Sequence, residues 1–296
     1  MLTKNEFEVL YYLTTVEDVP SQRLIAEATD LSLGTVNKVL QAMTEKKYVN
    51  AGMITVKGIH ALEPYRVKRA VFIAAGFGSR MVPITLNTPK PLVRVHGKRI
   101  IDTLLDAVVA AGIEEIVIVR GYLGEQFDQL LYKYPNIRFV ENPGYNESNN
   151  ISSAMCVRYL LQNAYVLEAD LVLSNPSLIR KYEYNTNFLG IPVERTDDWY
   201  FKVNQKGEIC EQGVGGTNCH QMIGISYWTA EDGAKLADDL NEVYQAPGGK
   251  ERYWEQTALV YKKENYKISV RECKQEDIIE IDTFSELKQI DKTYDI

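Results

Sequence analysis

The chain predicts an α/β protein carrying a small, mainly helical domain in front of it. Three observations carry that class. From Val71 onward, apolar strand patterns alternate with amphipathic helical ones. The first of those strands, Val71–Ala75, runs straight into a glycine turn, Gly76-Phe77-Gly78-Ser79. Residues 1–66 show helical spacing without that alternation, so two domains are expected, 1–66 and 67–296, meeting at the connector Glu63-Pro64-Tyr65-Arg66. A chain of 296 residues is long enough for one large core and a small one.

In the first domain, Phe7, Leu10, Tyr11 and Leu13 give one helix its apolar face. Pro20-Ser21 opens a second, with Leu24, Ile25 and Ala28 inward. A turn at Asp30-Leu31-Ser32 leads to a third, Leu33–Lys46, where Val36, Val39, Leu40 and Met43 recur at helical spacing. Tyr48–Thr55 and Val56–Leu62 read as a two-stranded wing turning near Asn50-Ala51-Gly52. This order resembles the winged helix-turn-helix domains of bacterial regulators, with Ser32–Lys46 as the recognition helix. Such a helix would offer Ser32, Thr35, Asn37, Lys38 and Gln41 to base edges. Against DNA binding, residues 1–66 hold seven Lys/Arg and eight Asp/Glu, a net of −1, although Lys38, Lys46, Lys47 and Lys57 can form a local basic patch. A dimerisation or docking module, and with it a homodimer, stays open beside it.

From Val71 the elements follow in order. Ile100–Ala111 reads as a helix, Glu115–Val119 as a strand, Leu123–Tyr132 as a helix and Arg138–Val140 as a short strand. Asn150–Leu161 is helical, and Ala164–Glu168 is an apolar strand running into Asp170. Beyond Asn187 the pattern turns more β-like, at Phe188–Val193, Tyr200–Val203, Ile209 and Met222–Trp228. Helices at Ala230–Tyr244 and Tyr253–Lys262 precede a last strand, Ile268–Glu272, and a helix at Thr283–Gln289.

Composition narrows the function. A net charge of −7 argues against a protein that coats nucleic acid. No apolar run approaches a membrane span, and MLTKNEFEVL lacks the basic-then-apolar order of a signal peptide, so a cytoplasmic protein without membrane attachment is expected. The four cysteines stand far apart with no C-x-x-C pair, and only His220 among the three histidines adjoins one. Reduced thiols are expected rather than a zinc site.

The stretch 71–92 carries the chemistry. Glycine lets the main chain approach a phosphate closely, and successive free N–H groups form an anion-binding concavity. Arg80 follows the turn at once with a planar fork for phosphate oxygens, and Lys90, wedged between Pro89 and Pro91, adds a compact charge. Neither the dinucleotide fingerprint nor the P-loop is present. The whole string, matched at Ala74, Ala75, Gly76, Gly78, Ser79, Arg80, Met81, Pro83, Thr85, Pro89, Lys90 and Leu92, resembles the signature of the sugar-phosphate-type nucleotidyltransferases. The resemblance implies a Rossmann-like, GT-A-like mixed sheet flanked by helices. It also implies nucleotide binding by Ala74, Ala75, Gly76, Gly78 and Ser79. Arg80 would hold the departing pyrophosphate, and Lys90 would stabilise the charge between acceptor and α-phosphate.

Two acidic clusters sit at strand ends, Glu168-Ala169-Asp170 and Glu280-Ile281-Asp282. Ligand sites in open α/β sheets form at the carboxyl ends of strands, and Mg²⁺ takes one or two carboxylates plus phosphate oxygens. The family resemblance assigns the metal to Asp170 and Asp282 and leaves Glu168 as a departure from its D-x-D pair. The polar run 142–152 resembles the family's base-reading loop, which nominates Asn150 and Ser152 for the nucleotide; a helix N-cap by Asn149 or Asn150 is an alternative use.

Within the family the resemblance extends over roughly 70–290 to the LicC-type CTP:phosphocholine cytidylyltransferases, through GYLGEQFD at 121–128, NESNNISSA at 146–154, YVLEAD at 165–170, YW at 253–254 and EID at 280–282. It implies CTP and phosphocholine as substrates. A quaternary ammonium is held by aromatic faces with a carboxylate nearby, which nominates Trp199, Tyr253 and Trp254 as acceptor walls. An acceptor such as 2-aminoethylphosphonate would favour carboxylates over aromatics, a sugar 1-phosphate would want more hydrogen-bonding side chains, and a nucleotide-sensing regulator is the competing class.

Overall fold

A computed structural model describes residues 1–295. The chain divides into two units, Met1–Arg66 with Tyr182–Tyr184, and Val67–Lys181 with the described residues from Asn185 onward.

In the first unit, α1 (Lys4–Leu13) starts at a capping box in which Thr3 and Glu6 satisfy each other's backbone N–H. The helices α2 (Gln22–Thr29) and α3 (Leu33–Glu45) start at Ser21 and Ser32, each accepting a hydrogen bond from an N3 backbone N–H. Phe7, Leu10, Leu13, Ile25, Val36 and Met43 bury together, whereas Leu24, expected to face inward, is 52% exposed. The Phe7 ring meets those of Tyr65 and Tyr184 at 5.1 and 5.4 Å. A hairpin of two short strands, β1 (Val49–Asn50) and β2 (Met53–Ile54), turns over Ala51-Gly52.

The second half of the expected wing is helical. Thr55 caps Gly58 N–H and starts α4 (Val56–Leu62), so a local cap overrides the β-branched look of the segment. Gly58 lets α4 close onto the hairpin, since a Cβ there would lie 2.3 Å from the Tyr48 carbonyl oxygen. Of the four lysines of the expected basic patch, Lys46 is paired to Glu6 at 2.5 Å and Lys57 donates to the Lys46 carbonyl.

The second unit opens with β3 (Arg69–Ile73), then the small hairpin β4 (Arg94–Val95) and β5 (Lys98–Arg99), and α5 (Ile100–Ala110). Next come β6 (Glu115–Arg120), β7 (Ile137–Glu141) and α6 (Ile151–Val157), then β8 (Ala164–Glu168) and β9 (Leu171–Leu173). Two long strands, β10 (Asn187–Val203) and β11 (Ile209–Trp228), replace the four short segments expected there. The rest is α7 (Ala230–Gln245), β12 (Ser269–Glu272), β13 (Ile278–Glu280) and α8 (Phe284–Ile290). Tight 3-10 turns at Gly124–Tyr132 and a π turn at Thr257–Tyr261 stand where α-helices were expected.

Among the described residues, seven strands form one mixed sheet in the order β12-β10-β11-β8-β3-β6-β7. The strand β3 is interior to the sheet, parallel to both β6 and β8. Side chains alternate along it: Ala70 and Phe72 join one core with α5, while Val71 joins another with α6 and α7. Both faces are therefore covered, which is why these strands read as continuous apolar runs. The expected mixed sheet flanked by helices is the observed architecture.

Replacing Gly58 with Ala pushes a methyl into backbone, so we expect a loss of about 1–3 kcal/mol. Urea unfolding of the full chain, followed by the lowest-stability transition, measures it.

Candidate active site

The loops after β3 and β8 leave the sheet side by side and open a cleft of about 620 Å³. Before the turn, Ala74 N–H donates to Val119 O at 2.9 Å and Ala75 O accepts from Tyr122 N–H at 3.0 Å, so the main chain is anchored up to the first glycine. Gly76 then lines the cleft with open space where a side chain would stand. Gly78 is required twice over. Its φ of +67° suits glycine, and a Cβ would lie 3.1 Å from Lys90 Cβ and 3.3 Å from Thr85 Cγ2. Thr85 Oγ1 donates to the Gly78 carbonyl at 3.0 Å, locking the turn from behind.

Lys90 lies on a short 3-10 turn between its two prolines, with its side chain 8% exposed. Its Nζ donates to Asp170 Oδ2 at 2.7 Å and to Asp282 Oδ1 at 2.9 Å. Burial works to depress the lysine pKa, but the charges and hydrogen bonds of the two aspartates offset this and hold it above its ordinary value. Arg80, 65% exposed, reaches the same Asp282 Oδ1 at 2.7 Å. Strand register explains how residues so distant in sequence meet. The strand β13 pairs antiparallel with β9, Glu280 opposite Leu171, and Ile281 N–H bonds to Asp170 O.

The carboxylates cluster differently from expectation in one respect. Glu168, Asp170 and Glu280 each bring an oxygen within 4.8 Å of the others, while Asp282 sits across Lys90 from Asp170. Burial first, then the neighbouring charges of Asp170 and Asp282, pushes the Glu280 carboxyl up to about 9. Burial, followed by Asp170, Glu255 and Glu280, raises Glu168 well above the carboxylate range. Asp170 Oδ1 is buried without a hydrogen-bond partner. An all-oxygen donor set with an unpartnered oxygen and mutual repulsion suits a hard divalent cation. Gly224 on β11 gives Glu168 its room, because a Cβ would stand 2.6 Å from its carboxylate.

The opposite wall is made by 149–150 and 253–255. Asn149 Nδ2 donates to Glu251 O, and Asn150 Oδ1 accepts from Trp254 N–H at 2.9 Å. Asn150 does not cap α6 with its side chain; it clips that helix start to the 250s segment. Asn150, Asp198, Trp199, Tyr253 and Glu255 line the cleft, the Trp199 and Tyr253 rings meeting edge to face at 5.4 Å. Glu255 is 2% exposed, and burial pushes its carboxyl up to about 7.

Of the residues nominated from sequence, Ala74, Gly76, Gly78, Ser79, Arg80, Lys90, Asn150, Asp170, Trp199, Tyr253 and Asp282 line this one cleft. Three lie behind its wall. Ala75 is buried at the strand end, and Ser152 Oγ, 5% exposed, bonds to Asn149 O and Asn142 Nδ2. Trp254 is a correction: it is 3% exposed and packs against Phe188 and Trp228 in the core, since only one of two adjacent aromatics can face the cleft. The sequence places Glu280 in an acidic cluster without giving it the metal, and it assigns no site role to Glu255 or Gly224.

Residues 70–185 match the MobA-like NTP transferase domain. The 2-aminoethylphosphonate cytidylyltransferase of Lancefieldella rimae is 35% identical over 245 residues, 82% of this chain and 98% of that one. The choline-phosphate cytidylyltransferase of Streptococcus pneumoniae is 30% identical over 227 residues, 76% of this chain and 97% of that one. A solved structure of the CTP:phosphocholine cytidylyltransferase from Streptococcus pneumoniae (LicC) superposes with a TM-score of 0.70 at 30% identity, covering 77% of this chain and 99% of that one.

Trp254→Ala should cost about 3–5 kcal/mol in urea unfolding, as a core truncation does. For Glu255 the sign follows from its raised value: both folded and unfolded chains hold the proton well below pH 4.5, and stability falls as pH rises from there through about 7. Glu255→Gln should therefore match the parent near pH 5 and melt roughly 5 °C higher at pH 8. Thermal melts across that range check it.

Proposed function

The chain belongs to the nucleotidyltransferases, among their cytidylyltransferases, and on that premise we propose that it moves the cytidylyl group of CTP, with Mg²⁺, onto a small phosphate or phosphonate bearing a cationic amine. The carrying observation is Lys90, buried between Asp170 and Asp282 at the back of a cleft whose near wall is the glycine turn.

In the proposed reaction an anionic acceptor oxygen attacks the α-phosphorus. The bond from that phosphorus to the α–β bridging oxygen breaks, and pyrophosphate leaves with the electron pair. The nucleophile is already charged, so no general base is needed; alignment and charge neutralisation supply the catalysis. The turn at Gly76–Ser79 offers main-chain N–H groups to the phosphates. Lys90 faces the charge that gathers between acceptor and α-phosphate. Arg80, exposed and held among the described residues by Asp282 alone, can exchange that carboxylate for the leaving pyrophosphate. Asp170, with Glu168, Glu280 and Asp282 around it, would hold Mg²⁺, which neutralises phosphate oxygens when bound.

Phosphocholine is favoured by the Trp199–Tyr253 aromatic corner and by the pneumococcal relative. With Trp254 in the core, the aromatic walls number two rather than three. 2-Aminoethylphosphonate is favoured by the carboxylates of Asp198 and Glu255 on the same wall and by the Lancefieldella relative.

A pyrophosphate-release screen of CTP, UTP and dTTP against phosphocholine, 2-aminoethylphosphonate and glucose 1-phosphate tests the reading. CTP with an amine-bearing acceptor is the expected active pair; silence across the panel, or preference for the hexose phosphate, contradicts it. In the active pair, Asp170→Asn should abolish turnover, and Lys90→Ala should lower kcat about 10²–10³-fold with a smaller change in the KM for CTP. Circular dichroism confirms that both variants remain folded.

A further inference from the structure

Glu255 carries an acid deep in the cleft wall, and one of its oxygens is left unsatisfied among the described residues. The residue is 2% exposed, yet it lines the cleft. Its Oε2 is buried without a hydrogen-bond partner among the described residues. A buried charged oxygen left unpaired is costly, and native structures fill such positions with a donor from protein, water or ligand. Two further buried polar atoms on the same segment, Trp254 Nε1 and Thr257 Oγ1, are also unpartnered. The chain there winds into the π turn Thr257–Tyr261, a geometry that recurs at functional sites. The same cleft is lined by Asp198 and by the Trp199–Tyr253 corner.

We propose that Glu255 selects the acceptor by its N–H groups, its free oxygen accepting from the acceptor's ammonium while Trp199 and Tyr253 flank the nitrogen. This deepens the cytidylyltransferase reading and rests on it. A primary ammonium has three donors and can satisfy Oε2. A quaternary ammonium has none, and offers the carboxylate charge without a hydrogen bond. Sites built to hydrogen-bond a substrate group discriminate strongly against analogues lacking it, because the protein atom is left stranded. The rings still attract any cation, so discrimination is graded rather than absolute. The acceptor head is therefore a primary amine, on a phosphate or phosphonate.

The test varies only the number of N–H groups. Phosphoethanolamine, its N-methyl and N,N-dimethyl derivatives, and phosphocholine share one phosphate and one spacer. Each is assayed with CTP and Mg²⁺ on the full chain and on Glu255→Gln. We expect parent kcat/KM to fall along the series by on the order of 10- to 100-fold, mostly through acceptor KM. In Glu255→Gln the series should flatten to within about threefold while the KM for CTP holds, since a neutral amide loses the charged acceptor. A parent series that is flat or rises toward phosphocholine overturns the assignment without any variant. So does a Gln variant that keeps the parent's slope, or one whose CTP and acceptor KM rise together. Absence of turnover with all four acceptors and with 2-aminoethylphosphonate would instead sink the reading beneath it.

Discussion

Everything in the cleft is arranged around one lysine that has been taken out of water. A buried ammonium is tolerable only with opposite charge in contact, and removing one partner of such a pair typically costs about 3–5 kcal/mol. Lys90 has two partners, Asp170 and Asp282, and they arrive from the middle and from near the end of the second unit's sequence. The proline on each side fixes the turn that aims it, and Gly78 leaves room for its stem. The pairing of β13 with β9 brings Asp282 across, so the lysine and the last strand of the unit hold one another in register.

The same charge balance leaves the site unfinished as it stands. Glu168, Asp170 and Glu280 crowd together, and burial with their neighbouring charges lifts the carboxyls of Glu168 and Glu280, so a divalent cation held there would be what lets them ionise. Such a pocket attracts cations and the anions that travel with them. Arg80 is the exposed member, bound among the described residues to one carboxylate, while Lys90 is buried between two. One cation can thus move with a leaving group while the other stays at the reacting centre.

Much of this was legible in the sequence because the phosphate turn is local. Gly76, Gly78, Arg80 and Lys90 fall within fifteen positions, and each residue type has one strong chemical reason to be there. The parallel strands β3, β6 and β8 were equally plain, being apolar on both faces, whereas the long β10 and β11 read only as short segments. What escaped depends on long-range geometry or on a local cap outweighing propensity. Val56–Leu62 looks extended until Thr55 is seen to cap it. Tyr253-Trp254 offers two aromatics, and only packing against Phe188 and Trp228 decides which one turns inward. Glu280 joins the carboxylate cluster through a strand pairing that no sequence pattern announces, and Glu255 owes its character to burial alone.

Where a nucleotide's phosphates and their metal settle tests the Lys90-centred site most directly. A crystal structure with a non-hydrolysable CTP analogue and Mn²⁺, read by anomalous scattering, decides it. We predict a manganese peak bonded to Asp170, with the triphosphate between the Gly76–Arg80 turn and Lys90. Nucleotide bound elsewhere, or a metal peak away from Asp170, would contradict the account.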